Sequence, residues 1–242
     1  MSPPFPRISL AWRRPRTSTL GSLLLALATA PLATSLPQPQ TAPPAPSVRN
    51  MTMFGPGCPI GAGGLVQQMR DGTPVFVFAE WALALPAVDD ATGKQVAEVS
   101  KFCTEEITLA DGPVGMQLRI ATVSVSGWAV LEAGSSVHVR VETALGGVAA
   151  GNQSTAIAPS DLKANAFQAD LHTQPADIWS ACVDTSGAVP HISIKTTVSL
   201  VGTPRASDGT LSSGAVGGDK TDLKKALGLH FDPVWRPCAL LR

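Results

Sequence analysis

The sequence predicts an all-β protein, an antiparallel β-sandwich stabilised by two disulfides. Three observations lead to this fold class. Apolar and polar residues alternate with a period of two in several segments, glycine and proline separate those segments at spacings suited to a meander, and the chain holds four cysteines. A strand with one buried and one solvated face produces this alternation, because successive side chains point to opposite faces of a sheet.

The N-terminal segment has the composition of a secretory signal peptide. Arg7, Arg13, Arg14 and Arg16 precede the apolar run LGSLLLALATAPLA, which contains no acidic residue and is followed by small residues. That run has roughly 14 residues, whereas a transmembrane helix needs about 20. We therefore expect residues 1–35 to be removed and the mature protein to be secreted, extracellular and free of the membrane.

The charge of the mature chain argues against nucleic acid as a partner. Removing residues 1–35 takes away four of the 18 basic residues and none of the 18 acidic ones, which leaves 14 basic against 18 acidic residues, a net charge of −4. Domains that bind nucleic acid are usually basic, because they neutralise phosphates.

Composition divides the mature chain into a spacer and one domain. Residues 36–52 are rich in Pro, Ala and Gln and are predicted to be a spacer without a packed core. Residues 53–242 are predicted to form a single secreted β domain, since about 200 residues suffice for one core. Within it, residues 203–219 have the composition of a flexible polar loop.

Strands are predicted in order along this domain. Valines 137, 139 and 141, for example, face one way, and His138, Arg140 and Glu142 face the other. The same period of two runs through residues 75–80, 107–109, 115–134, 135–145 and 191–202.

Two segments are ambiguous. Residues 89–102 are compatible with one short helix between strands, because two valines fall three residues apart. A capped helical turn could start at Thr221, yet the apolar residues of 227–231 alternate as in a strand. We favour a closing strand that ends at Trp235.

Five short motifs span the domain: GCP from residue 57, KFC from 101, GWAVLEAG from 127, WSAC from 179 and WRPC from 235. Together they resemble the secreted family catalogued as domain of unknown function 4360, found mainly in fungi and some bacteria. The chain departs from that pattern where Phe102 replaces the usual Asn, and where Ala181 and Val183 replace Pro and Gly around the third cysteine. The resemblance implies a small secreted β domain with no established activity.

The four cysteines, Cys58, Cys103, Cys182 and Cys238, predict two disulfides in an oxidising compartment. Loop-closure entropy does not choose among the three connectivities, because each bridge would contribute roughly 4 kcal/mol. We favour Cys58 with Cys103, which pins the incoming chain to an early strand, and Cys182 with Cys238, which fastens the tail. No cysteine or histidine pair has the spacing of a metal site, and no cofactor is expected.

Two sequons, at Asn50 and Asn152, are candidate N-glycosylation sites. The tryptophans left after export are Trp81, Trp128 and two others close to cysteines, Trp179 and Trp235. Exposed rings of this kind could stack on sugars, but packing in the core or on a disulfide is the favoured role.

Carboxylates are the first candidates for catalysis, since glycoside hydrolysis needs two of them about 5 to 9 Å apart. Neighbouring side chains on a strand face opposite ways, so an adjacent pair cannot serve one site. We expect each of the candidates to lie on a solvated face, with a structural contact as the other role for the first three: Glu80, Glu132, Glu142 and the adjacent pairs Asp89–Asp90 and Glu105–Glu106.

Histidines and nucleophile motifs do not indicate a reaction. The sequence lacks the G-x-S-x-G and H-E-x-x-H patterns. Copper-dependent oxidation of polysaccharides would need a histidine at the mature N-terminus, where Leu36 is predicted. The four histidines are scattered along the chain: His138, His172, His191 and His230.

These observations together predict a secreted non-catalytic extracellular or cell-surface protein, an interaction or polysaccharide-binding module. The predicted partner is cell-wall polysaccharide or another extracellular protein. A secreted carbohydrate-active hydrolase is the alternative.

Export can be checked directly. Mass spectrometry of the secreted protein should find an N-terminus close to Leu36, or further on if the Pro-rich spacer is trimmed. Secreted material that retains Met1 would contradict the predicted signal peptide.

Overall fold

All of the strands described below belong to one unit of the chain, Ala42–Arg242. The predicted signal peptide and the ambiguous turn at Thr221 lie outside the described residues. The computed structural model describes residues 47–58, 65–70, 73–78, 81–110, 112–173, 175, 177–217 and 226–238.

Fourteen strands and one 3-10 turn, Pro159–Asp161, make up the secondary structure of this part of the chain. The strands are β1 (Ser47–Phe54), β2 (Leu65–Arg70), β3 (Thr73–Phe78), β4 (Ala82–Leu85), β5 (Ala87–Val88), β6 (Gln95–Val96), β7 (Glu98–Ala110), β8 (Met116–Leu131), β9 (Ser135–Leu145), β10 (Val148–Ile157), β11 (Ala166–His172), β12 (Ile192–Gly202), β13 (Gly214–Gly217) and β14 (Leu227–Pro237).

Two antiparallel sheets form the sandwich, as the sequence predicts. The first sheet has the strand order β1-β7-β12-β9-β10. The second has the order β2-β3-β14-β8-β13-β4, and β11 pairs with β8 beside it. Strands β5 and β6 form a separate two-stranded hairpin. One hydrophobic cluster contains buried residues from both sheets.

Alternation along the strands fills this core. In β9, Val137, Val139 and Val141 are buried, whereas Arg140 is exposed. Burial of each such side chain contributes about 1.5–3 kcal/mol. Trp81 is fully buried and meets Phe78 edge to face with ring centroids 5.6 Å apart, so its predicted core role is confirmed.

The closing strand is also confirmed. Strand β14 begins at Leu227 and pairs with both β3 and β8. It runs two residues past the predicted end at Trp235, to Pro237. Leu229 and Phe231 are fully buried, which explains why the alternation of 227–231 indicates a strand.

The short helix considered for residues 89–102 is wrong. The Asp89 carboxylate accepts a hydrogen bond from the Thr92 backbone N–H at 2.7 Å, and Gly93 has a φ of +64°, so the segment makes a turn between β5 and β6. A glycine tolerates that φ without steric cost. Strand β7 then begins at Glu98.

Two boundaries differ from the composition-based expectation. Strand β1 begins at Ser47, inside the interval 36–52 assigned to the spacer. Within the predicted loop 203–219, residues Gly214–Gly217 form β13, which pairs with β4 and β8. Val216 is fully buried there, so this part of the loop packs into the core although residues 203–219 as a whole have a polar composition.

Glu105 is the polar residue that the core accommodates least well. Its side chain faces inward and is fully buried, and neither carboxylate oxygen has a hydrogen-bond partner on another described residue. The expectation that Glu105 is solvated is therefore wrong. Burial, with a smaller contribution from the nearby Glu106 charge, raises the pKa of Glu105 well above its ordinary value of 4.5.

This shift predicts that the protein loses stability as pH rises. A group whose pKa is raised by folding contributes fully below its unfolded value, and the contribution is lost as pH increases through the folded value. Replacing Glu105 by Leu should therefore raise the free energy of unfolding at pH 8 by about 1–3 kcal/mol and flatten its pH dependence above pH 4.5. Urea unfolding between pH 4 and 8 measures both effects.

The matched control is Glu98→Gln, because Glu98 lies on the same strand and is exposed. It should leave the pH dependence unchanged. A Glu105→Leu protein that is as pH-dependent as the parent would show that Glu105 does not cause the loss.

Candidate ligand-binding face

The outer face of the second sheet is polar, and its residues come from four neighbouring strands. On β8, Val123 and Val125 are buried while Ser124 and Ser126 point away from the core. The register aligns outward residues in two rows across β3, β14, β8 and β11: Val77, Gly228, Ser126 and Gln168 in one, and Val75, His230, Ser124 and Asp170 in the other.

A groove of about 710 Å³ opens on this face. Val75 and Val77 line one side and Gln168 the other, with Ser126 and Gly228 between them. Gly228 has no side chain, which leaves the middle of the row open. A larger residue would not fit there, because a Cβ added at Gly228 would lie 2.8 Å from the Ser126 hydroxyl oxygen. Among the described lining residues, the two charged ones, Asp161 and Lys163, come from the short segment after β10.

Beside the groove, polar side chains hold each other in place. The Gln168 amide donates to the Asp170 carboxylate at 2.9 Å. Hydrogen bonds from Gln168 and Ser124, and the nearby His172 and His230, lower the pKa of Asp170, which therefore stays ionised and accepts hydrogen bonds.

The two histidines of this face are fixed by neighbours of their own. His230 Nε2 lies 2.8 Å from an Asp232 carboxylate oxygen. His172 Nδ1 lies 3.1 Å from the Thr122 hydroxyl. The two histidines are far apart in the sequence. They lie on the same face near Asp170 because β11 and β14 both pair with β8.

At the other end of the same face, two arginines lie over a tryptophan ring. The Arg236 guanidinium carbon is 4.0 Å from the Trp179 ring centroid, and that of Arg119 is 5.2 Å from it. Gln117 on β8 connects the two segments that carry this cluster. Its amide nitrogen donates to the Ser180 carbonyl at 2.8 Å, and its amide oxygen accepts from Arg236 Nε on β14 at 3.1 Å. Trp179 is half-buried and is not part of the hydrophobic core.

The favoured disulfide pairing is confirmed. Cys182 is bonded to Cys238 with a Cα–Cα distance of 6.0 Å, close to the Arg–Trp cluster. Cys58 is bonded to Cys103 with a Cα–Cα distance of 5.4 Å and ties the turn after β1 to β7.

The surface carboxylates proposed from sequence are held in structural contacts. The Glu132 carboxylate accepts a hydrogen bond from the Ser213 N–H at 3.0 Å and one from Arg205. These hydrogen bonds lower the pKa of Glu132, those from Ser213 most strongly. Glu142 pairs with Arg140 at 2.5 Å. Glu80 lies outside the described residues.

Glu106 also forms such a contact. It lies beside a serine and a histidine, the residue types of a catalytic triad, but the three are not connected in the order that a triad needs. It accepts a hydrogen bond from Ser193 at 2.9 Å and contacts His191 Nε2. In a hydrolytic triad the histidine stands between the nucleophile and the acid, whereas here the carboxylate stands between the other two. His138, on the same sheet, forms a hydrogen bond with the Ser136 hydroxyl at 3.0 Å.

Both sequons lie on the first sheet rather than the second. Asn50 is on the edge strand β1 and Asn152 on the opposite edge strand β10, and both are exposed. Pairing with Thr108 and Glu142 places them on the outer face of that sheet. Their occupancy remains a prediction.

Two other kinds of feature are absent from the described ranges. No group of three or more His, Cys, Asp or Glu side chains there could hold a metal ion. No helix in this part of the chain is both long and apolar enough to cross a membrane.

Comparisons with known proteins identify a family. The family model described as Domain of unknown function (DUF4360) matches residues 44–238. No curated protein matches the chain.

Two solved structures show a distant likeness. TmCBM61, solved in complex with β-1,4-galactotriose, has 12% identity and a TM-score of 0.22, with 79% of this chain and 90% of that chain covered. The enzymatically active domain of tailspike protein 4 from bacteriophage CBA120 has 11% identity and a TM-score of 0.22, with 78% of this chain and 19% of that chain covered. This chain therefore spans about a fifth of the tailspike chain.

The second disulfide can be tested by cutting the chain between its cysteines. A protease site introduced at the exposed turn Asp208–Gly209 should give two fragments that run together on a denaturing gel until a reductant is added. The same cut in a Cys238→Ser variant should release the fragments at once. Separation of the parent fragments without reductant would contradict the pairing.

Proposed function

The chain belongs to the family described as domain of unknown function 4360, and we propose that it is a secreted, non-catalytic module that binds polysaccharide on the outer face of its second sheet. The groove between Val77 and Gln168 is the observation that carries this proposal. Its volume of about 710 Å³ lies in the range of about 300–1,000 Å³ that is usual for small-molecule sites.

The lining of the groove suits a sugar. A pyranose has apolar C–H faces and a rim of hydroxyl groups that both donate and accept hydrogen bonds. Val75 and Val77 supply an apolar side, Gln168 supplies an amide on the other side, and Ser126 supplies a hydroxyl between them. The ionised Asp170 beside them adds strong acceptors for sugar hydroxyls.

The position of the sequons agrees with binding on this side. Glycans at Asn50 and Asn152 would cover the outer face of the first sheet and leave the second sheet accessible. The predicted signal peptide and the two disulfides are consistent with an extracellular location, where polysaccharide ligands are abundant.

Binding is favoured over hydrolysis by the carboxylates of the groove. Among its described lining residues there is one carboxylate, Asp161, and one of its oxygens accepts a hydrogen bond from the Ala158 N–H at 2.7 Å. A glycosidase usually needs two carboxylates across the scissile bond. The ion pairs of Glu132 and Glu142 occupy other surfaces.

Filling the groove tests the proposal. Ser126→Leu places an apolar side chain in the centre of the rows and removes a hydroxyl, so it should weaken polysaccharide binding by about tenfold or more. Thr197→Leu is the matched control, because Thr197 lies outward on the central strand of the first sheet. Pull-downs on chitin, β-glucan, cellulose and pectin, followed by titration calorimetry with the bound polymer, measure the effect.

Two outcomes would contradict this function. Equal binding by the parent and both variants would remove the groove from the interaction. Release of reducing sugars during the same incubations would favour the hydrolase alternative instead.

A further inference from the structure

We propose that Arg119, Trp179 and Arg236 form an anion subsite, so that the ligand of this face is an acidic polysaccharide whose carboxylate or sulfate groups bind there. This inference rests on the proposed function and specifies the class of polysaccharide. The planar guanidinium group matches the geometry of carboxylate and sulfate oxygens, which it can bind through two parallel hydrogen bonds.

The charge of Arg236 is available to a ligand. Its side chain is exposed, and its contacts in the described part of the chain are the Gln117 amide oxygen and the Trp179 ring, neither of which is an anion. Arg140 and Arg205, by contrast, are each paired with a glutamate. An anionic ligand would therefore meet a cation whose charge no carboxylate of the described residues already offsets.

The cluster is also held in position before any ligand arrives. The Trp179 ring and the Gln117 oxygen restrict the Arg236 side chain, which reduces the entropy lost on binding. The Cys182–Cys238 disulfide joins the segment that carries Trp179 to the end of β14. Backbone hydrogen bonds from Ser180 to Leu118 and from Cys238 to Gly115, both 2.8 Å long, fix the same two segments to β8 and its preceding turn.

A polar track connects this cluster to the groove. Between Ser126 in the groove and Arg119 in the cluster, Ser124 and Thr122 also point away from the core along β8. The seven residue steps along β8 from Arg119 to Ser126 span about 23 Å, which exceeds the size of a single sugar. A ligand that contacts both ends must be a chain of several sugar units, and its acidic groups would meet the arginines.

The test compares acidic and neutral polymers on the intact mature protein. The probes are polygalacturonate for carboxylate, dextran sulfate for sulfate and unmodified dextran and β-glucan as neutral polymers. We expect binding to an acidic polymer that weakens as NaCl rises from 50 to 500 mM, because salt screens the arginines. We expect Arg236→Gln to weaken this binding by about tenfold, which corresponds to the loss of one charged contact.

Arg140→Gln is the matched control. It removes the same charge from the outer face of the first sheet and should change the affinity less than about twofold, as expected for screened charges beyond a Debye length. Arg236→Lys, which keeps the charge and loses the planar fork, should fall between the parent and Arg236→Gln. Unfolding midpoints of all variants show whether the fold is retained.

The outcomes separate this inference from the function on which it rests. Loss of acidic-polymer binding in both Ser126→Leu and Arg236→Gln supports both. Binding of a neutral polymer that Ser126→Leu abolishes and Arg236→Gln leaves intact supports the groove and overturns the anion subsite. Loss in Arg236→Gln without loss in Ser126→Leu supports the subsite and overturns the groove. Equal losses in Arg236→Gln and Arg140→Gln, or no binding to any polymer, overturn the anion subsite.

Discussion

The alternation of side chains along β8 is the constraint on which both the core and the candidate site depend. Leu118 and Ile120 are buried in its first half, and Val123 and Val125 in its second half, so the apolar positions change from even to odd numbers. The pairing with β14 skips Ala121, and this β-bulge absorbs the change of phase. Without the bulge, one half of the strand would point its apolar residues toward solvent.

The features that the sequence predicts correctly are those encoded by near neighbours. The valines of β9 reveal a strand because alternation is a local signal, and the same holds for the core residues of β14. The disulfides were also predictable, because four cysteines leave few choices and the GCP and WRPC motifs mark the ends of the domain.

The remaining features depend on pairing across long stretches of chain. Strand β11 carries the same kind of local signal, because Phe167, Ala169 and Leu171 alternate with polar residues. Local signals still would not place its polar face beside His230, because that proximity depends on β8 lying between β11 and β14. Strand β13 is short and rich in glycine, and its partners rather than its composition make it a strand.

Glu105 shows a different limit of sequence analysis. Alternation correctly separates it from Glu106, which lies on the outer face and contacts His191. The pattern does not reveal which of two adjacent glutamates faces inward, since polar residues are expected outside. The choice is made by the register of β7 against β12, which places Glu105 opposite Ile194 in the core.

The bulge and the second disulfide together explain how a stable sandwich can carry an extended polar face. The bulge keeps Arg119 and Ser124 on the same side of β8, although they lie five positions apart and a regular strand would place them on opposite sides. Trp179 and Arg236 lie within WSAC and WRPC, the motifs whose cysteines form the bridge, so the contacts that fasten the tail also position the cationic cluster. Val183, which follows Cys182, is buried and lies beside Gly112 rather than on this face. The Val183 side chain therefore contributes to the core and not to the outer face of the second sheet.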